Sequence, residues 1–413
     1  MRKRTAALLA ALAILLTGCW DMTGIEDTVY AASVAVDAAG DEYTWTFRLV
    51  QAEKLVLGML AAVPGDPGRL ASGFVSVRSP SLEQAVHMVQ PSLGRILSLE
   101  HVRSVLLSEE VARKGVNPLL SQMLRNTQLR SGLSLQVVVG EATGPPLNSR
   151  PVADTNAIKY IESIRLVQKR FHMSPPVQLQ HFYTRLMAPG ADPIAPLVAV
   201  NTTARRPPGS EVPATEGRSF RAGELPRAGA NPVETLGTGV FRGDRLAGLL
   251  TVDETQGLLA LRGEMGKVYA SVPDPHEPGT RVTLRFHQEN KPAFRVAFAG
   301  GKPVVHVKLQ FEGEVLSVPG GTDYTLPQNR RVLERETSDF LQQETFVPLF
   351  KRVYNEWGAD PVGIGQLFRS RFPTLDAWLA FAWPEHVQDL GATVEVDLFI
   401  RRFGMLLGNP KFD

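Results

Sequence analysis

The sequence predicts an α+β fold of two to three domains, each a mixed β-sheet flanked by helices. Three observations carry this. Short strands with alternating apolar residues recur from Val29 to Arg401, on both sides of residues 203–232. Helical patterns fall between them at irregular intervals. No regular strand–helix–strand succession is visible of the kind that builds a purely parallel sheet.

In chain order, Val29–Val36 and Tyr43–Val50 predict two strands joined by a turn at Ala38-Ala39-Gly40-Asp41. Ser81 is placed to cap a helix over Leu82–Val89. Val102–Leu107 predicts a short apolar strand. Ser108-Glu109-Glu110 then opens a helix that Gly115 closes, with its acids at the positive N-terminal end. Leu133–Val139 is a β-branched strand, and Thr155–Phe171 and Pro176–Met187 carry the spacing of amphipathic helices.

From 203 to 232 the chain becomes rich in Pro, Gly, Arg and Glu with few apolar residues, which predicts a linker or long exposed loop and the best domain boundary. Beyond it, Gly237–Phe241, a turn at Arg242–Arg245 and Leu246–Val252 read as a hairpin. A helix follows over Asp253–Leu261, then strands over Arg281–His287, Ala293–Phe298 and Val304–Phe311. In the last, Val305, Val307, Leu309 and Phe311 share one face, and His306, Lys308 and Gln310 the other. Arg331–Trp357 predicts a long helix and Thr393–Arg401 a terminal strand. The expected organisation is residues 1–18 as a cleaved lipoprotein signal peptide, 19–202 as an N-terminal α+β region that could divide in two, 203–232 as the linker, and 233–413 as a C-terminal α+β domain.

Composition narrows the function. The 44 basic and 42 acidic residues leave a net charge of +2, and no basic stripe is interleaved with aromatics, which argues against a nucleic-acid partner. A single cysteine rules out an intramolecular disulfide and a multi-cysteine zinc site. No HExxH, CxxC, Gly-rich phosphate loop or GxSxG elbow occurs, and the eight histidines are scattered. No catalytic residue, cofactor or metal is therefore expected, and binding or scaffolding is favoured over catalysis. His306 on a strand's polar face reads as solvated surface. Glu26-Asp27 could bind a cation or meet a basic partner, with a solvated or helix-capping pair the preferred alternative.

The N-terminus is the most specific signal. Arg2-Lys3-Arg4 precedes the apolar run Ala6–Leu16, too short to span about 30 Å of hydrocarbon but matched to a signal peptide's apolar region. Leu16-Thr17-Gly18-Cys19 resembles the lipobox of bacterial lipoproteins, and the chain's single cysteine falls at this position. The resemblance implies cleavage before Cys19 and a diacylglyceryl group on its thiol. Two acyl chains anchor stably where one holds only marginally. Trp20 would sit at headgroup level beside the lipid, with an ordinary core tryptophan the equal alternative.

Several segments together resemble the Ger(x)C family, the lipoprotein C subunits of bacterial spore germinant receptors. They are Cys19-Trp20-Asp21-Met22-Thr23-Gly24-Ile25-Glu26-Asp27; Leu99–Val102 with Val105–Gly115; Gly237–Phe241 with Asp244–Gly248; Trp357–Gly365; and the stretch bearing Trp378 and Trp383. Gly24 departs from the family, where an acid is more usual. The resemblance implies a subunit needed for receptor assembly and spore germination, held at the outer leaflet of the spore inner membrane. It also implies integral-membrane A and B receptor subunits as partners. Trp20, Asp21, Glu26 and Asp27 are the candidate partner contacts, and Trp378 and Trp383 are read as core. The competing reading, a solute-binding lipoprotein of an importer, would require two doubly wound lobes with repeated βαβ units.

Overall fold

The computed structural model describes residues 27–51, 72–142, 157–215 and 219–404. Cys19, Trp20, Asp21 and Glu26 lie outside the described residues. Asp27, the first of them, is exposed immediately before the first strand.

A first sheet forms around β1 (Thr28–Ala39), which turns at Gly40 into antiparallel β2 (Glu42–Gln51), itself paired with β3 (Ser72–Ser79). On its other side β1 runs parallel to β4 (Ile96–Ser98) and β5 (Ser104–Ser108), and β5 to β6 (Ser134–Val138) and then β7 (Ile194–Val200). This parallel centre explains the apolar character of β5 and β6. Strands covered on both faces read as continuous apolar runs, and every residue of both is buried.

Helices join these strands. α1 (Leu82–Leu93) is capped by the Ser81 side chain, which accepts from Gln84 N. α2 (Glu109–Lys114) is capped likewise by Ser108, and Glu109 and Glu110 pair with Arg113 and Lys114 one turn on. α3 (Asn117–Arg125) follows. α4 (Ala157–Phe171) and α5 (Leu179–Leu186) return the chain to β7.

The first sheet does not stop at the Pro/Gly/Arg-rich segment. β8 (Val233–Arg242) pairs antiparallel with β7, and β9 (Arg245–Leu250) with β8, giving nine strands in all. The segment between β7 and β8 is pinned to this sheet. Asn201 Nδ2 donates to the Leu225 carbonyl at 2.6 Å and to Glu234 Oε1 at 2.6 Å, and Arg227 Nε donates to the same carboxylate oxygen at 2.6 Å.

After α6 (Val252–Leu261), opened by a capping box between Thr251 and Glu254, a second sheet forms in the order β10 (Val268–Pro273), β11 (Arg281–Gln288), β13 (Lys302–Ser317), β12 (Ala293–Ala299). The C-terminal β14 (Gly391–Arg402) pairs parallel with β13. The alternation predicted for Val304–Phe311 extends along most of β13, with Val305, Val307, Leu309, Phe311 and Val315 buried. Against this face packs one long helix, α7 (residues 327–356), which passes through π turns at Leu341–Phe346 and Lys351–Glu356. Pro348, which cannot donate to the carbonyl one turn earlier, falls between them. Short helices α8 (Ile364–Phe368), α9 (Leu375–Phe381) and α10 (Trp383–His386) complete this half. Both sheets are mixed and helix-flanked, as the sequence predicted.

Candidate functional site, the Asp360 junction

The loop from Trp357 to Gly363, with the opening of α8, joins the two halves. Its centre is Asp360, whose side chain is buried among backbone donors. Oδ1 accepts from Gly363 N at 2.7 Å, Ile364 N at 2.9 Å and the Tyr354 hydroxyl at 3.0 Å. Oδ2 accepts from Gly365 N at 2.7 Å and Trp383 Nε1 at 3.1 Å. The carboxylate thus takes up amides at the opening of α8, which have no partner within the helix. Burial pushes the Asp360 carboxyl above its ordinary range, while the bonds from Gly365, Ile364 and Gly363 hold it down.

The main chain of Asp360 reaches the first half. Asp192 N donates to its carbonyl at 2.8 Å, and its own N–H donates to Asp192 Oδ2 at 2.7 Å. Asp192 Oδ1 accepts from Gly243 N, in the β8–β9 turn, at 2.7 Å. Burial raises the Asp192 carboxyl to about 6, against the lowering effect of its two backbone bonds. The Pro361 carbonyl accepts from Arg185 Nη2 of α5 and Arg262 Nη1 at the end of α6, each at 2.6 Å. Burial, helped by the charge of Arg262, lowers the Arg185 guanidinium.

Two glycines make room for tryptophans here. A Cβ on Gly248 of β9 would lie 2.2 Å from the Trp357 ring, and one on Gly365 would lie 2.4 Å from Trp383 Nε1. Trp378 and Trp383 are buried, as read from the sequence, and Trp383 also uses its N–H on Asp360. The junction's polar atoms are largely spent on one another, so the arrangement can fix the two halves together. It presents no nucleophile–base pair.

Beside it opens a cleft of about 740 Å³, lined among others by Glu141, Ala222, Leu249 and Trp357. Its cations are already compensated: Arg113 by Glu109, Arg221 by Glu224 and Arg352 by Glu254. Among the described residues no group of three or more His, Cys, Asp or Glu side chains could hold a metal ion.

The structure brings together Asp360, Gly363, Gly365 and Trp383 from the motifs singled out in the sequence, and places Asp27 apart from them. His306 stands on the polar face of β13, 3.6 Å from Glu395. Sequence reasoning missed Asp192, Arg185 and Arg262. Asp192 lies 168 positions from Asp360, and no local pattern signals such a pairing.

Fold and junction define a class: two mixed sheets, each in a helix-flanked half, locked through a carboxylate-centred loop. Residues 21–200 match the family described as "Spore germination protein N-terminal domain" and residues 236–404 that described as "Spore germination B3/ GerAC like, C-terminal". Similar proteins from Bacillus subtilis (strain 168) include "Putative spore germination protein YfkR", 23% identical over 96% of this chain and 95% of that protein. "Spore germination protein KC" is 21% identical over 99% and 98%, and "Spore germination protein B3" 21% over 95% and 95%. A solved structure, "Crystal Structure of the GerBC protein", shares the fold with a TM-score of 0.52 at 17% identity, covering 89% of this chain and 96% of that one. The chain belongs to the Ger(x)C family, and its relatives are spore germination proteins.

Proposed function

We propose that this protein is the lipid-anchored subunit of a nutrient germinant receptor, needed for receptor assembly and germination. A diacylglyceryl group on Cys19 holds it to the outer leaflet of the spore inner membrane, beside integral-membrane A and B subunits. It acts by binding and assembly, not by turnover. The observation that carries the reading is the coincidence of the chain's single cysteine with a lipobox, directly ahead of a body that matches both parts of a spore germination family in order. Among the described residues no helix is long and apolar enough to cross a membrane. Trp20, Asp21, Glu26 and Asp27, next to the lipid, are the proposed contacts with the membrane subunits.

The test is Cys19→Ala in spores. The variant should leave the membrane fraction for the soluble one, fail to co-purify the A and B subunits, and slow germinant-triggered germination. Unchanged membrane fractionation, or a mature protein with a bare thiol and its leader intact by mass spectrometry, refutes the anchor.

A further inference from the structure

Helix α4 presents an unusual surface. Leu166 is 68% exposed and Val167 53%, and Phe171 and Met173 beside them are also exposed. Lys169 and Arg170 are exposed among these apolar side chains, and the Arg170 guanidinium lies 5.8 Å from the centre of the Phe171 ring. On the opposite side Gln168 is buried and donates through Nε2 to Ser174 Oγ at 3.2 Å. The acid on this stretch, Glu162, is already engaged by Arg103 at 3.4 Å. Among the described residues no acid pairs with Lys169 or Arg170, so the outward face combines projecting apolar groups with positive charge, the composition of a helix that lies in a membrane interface.

Its place in the fold gives that face an occupant. Arg103 sits at the foot of β5, and its N–H donates to the Ala32 carbonyl of β1 at 2.9 Å. After α4 the chain passes the foot of β6, where Leu135 N donates to the Val177 carbonyl at 3.2 Å. Glu162, near the start of α4, is thus tied to the end of the sheet at which β1, β5 and β6 begin, where Thr28 enters β1. Seven residues lie between Cys19 and Asp27, so the eight steps span at most about 27 Å at ~3.4 Å per residue.

We infer that the exposed face of α4 docks on an anionic lipid surface and sets the orientation of the body on the membrane. The inference rests on the proposed anchor only for the direction of the bilayer. Leu166, Val167 and Phe171 enter the headgroup boundary, and Lys169 and Arg170 meet lipid phosphates.

The test separates this contact from the anchor by using the mature chain from position 19 with Cys19→Ser; the described fold starts at Asp27, so none of it is cut. The protein is sedimented with vesicles of phosphatidylcholine alone or with phosphatidylglycerol. Binding should require the anionic lipid and weaken with salt. Lys169→Glu with Arg170→Glu should reduce partitioning by about 25-fold or more, at about fivefold per cation lost near an anionic surface. Leu166→Ser with Val167→Ser should reduce it as well. Both pairs are exposed, so thermal melting should stay at the parent value and certify folding. Equal binding to both vesicle types, or binding indifferent to both pairs, overturns the inference. So does absence of vesicle binding together with self-association that the α4 substitutions abolish, which would assign the face to a second copy of the chain. Loss of the anchor phenotype in Cys19→Ala spores leaves this result standing, so the two failures are distinguishable.

Discussion

At the scale of single residues the junction turns on Asp360, because its carboxylate answers three backbone amides, a phenol and an indole at once. Asp360→Ala orphans three buried N–H groups at about 1–3 kcal/mol each, so at least about 3 kcal/mol of stability should be lost in denaturant unfolding. Asp360→Asn keeps Oδ1 but turns a donor toward Gly365 N–H and Trp383 Nε1–H, and should cost nearly as much. If Asn were tolerated within experimental error, the negative charge would have no role. Gly365→Ala drives a methyl to 2.4 Å from Trp383 Nε1 and should cost about 1–3 kcal/mol, read as a drop in melting temperature. Asp192 adds a pH signature. Its folded value of about 6 lies above the ordinary 3.8, so the folded chain holds the extra proton between these values. Stability from this group is present at acid pH and falls as pH rises from about 4 through 6, by on the order of 3 kcal/mol. Melting curves of the parent and Asp192→Asn across that range should differ in slope, the variant lacking the decline. Parallel slopes would remove Asp192 as the cause.

At the scale of elements, local signals were legible and long-range ones were not. Ser81 and Ser108 were readable as caps because capping depends on residues three apart, and both side chains accept the expected bonds. The alternation of Val305 to Phe311 was readable because one face of β13 meets the core. The extent of α7 was legible but its π turns were not, since apolar spacing does not report a shift in backbone pairing. Nor did the sequence reveal that β8 would hydrogen-bond to β7, because strand pairing depends on which edges meet in space. This pairing supports a prediction about β7, which is buried over nearly its whole length and borders β8. A fragment of residues 19–202 exposes that edge and should aggregate on expression, whereas 19–251, which retains β8 and β9, should stay soluble. Equal solubility of the two would show that β7 tolerates an open edge.

At the scale of the whole molecule, the same loop decides whether the two halves behave as one body. Their cores meet where Ile194, Val240 and Leu250 of the first sheet join the second core, at Val177, which packs against both, and at Trp357 on Gly248. Polar ties among the described residues include the Asp192–Asp360 exchange and the two arginines on the Pro361 carbonyl. A surface helix can orient a membrane-bound body only if the far half follows the near one, so this coupling gives the α4 contact its leverage. Calorimetry should therefore show a single unfolding transition for the parent chain, since each half loses buried partners when the other opens. Arg185→Ala together with Asp192→Ala cuts ties from the first half and leaves the Asp360 carboxylate with its own donors. This variant should split the trace, with one half melting several degrees below the other and both retaining their far-ultraviolet signatures until they melt. Two transitions already present in the parent, or one undivided transition in the double variant, would mean that the loop spaces the halves without coupling them.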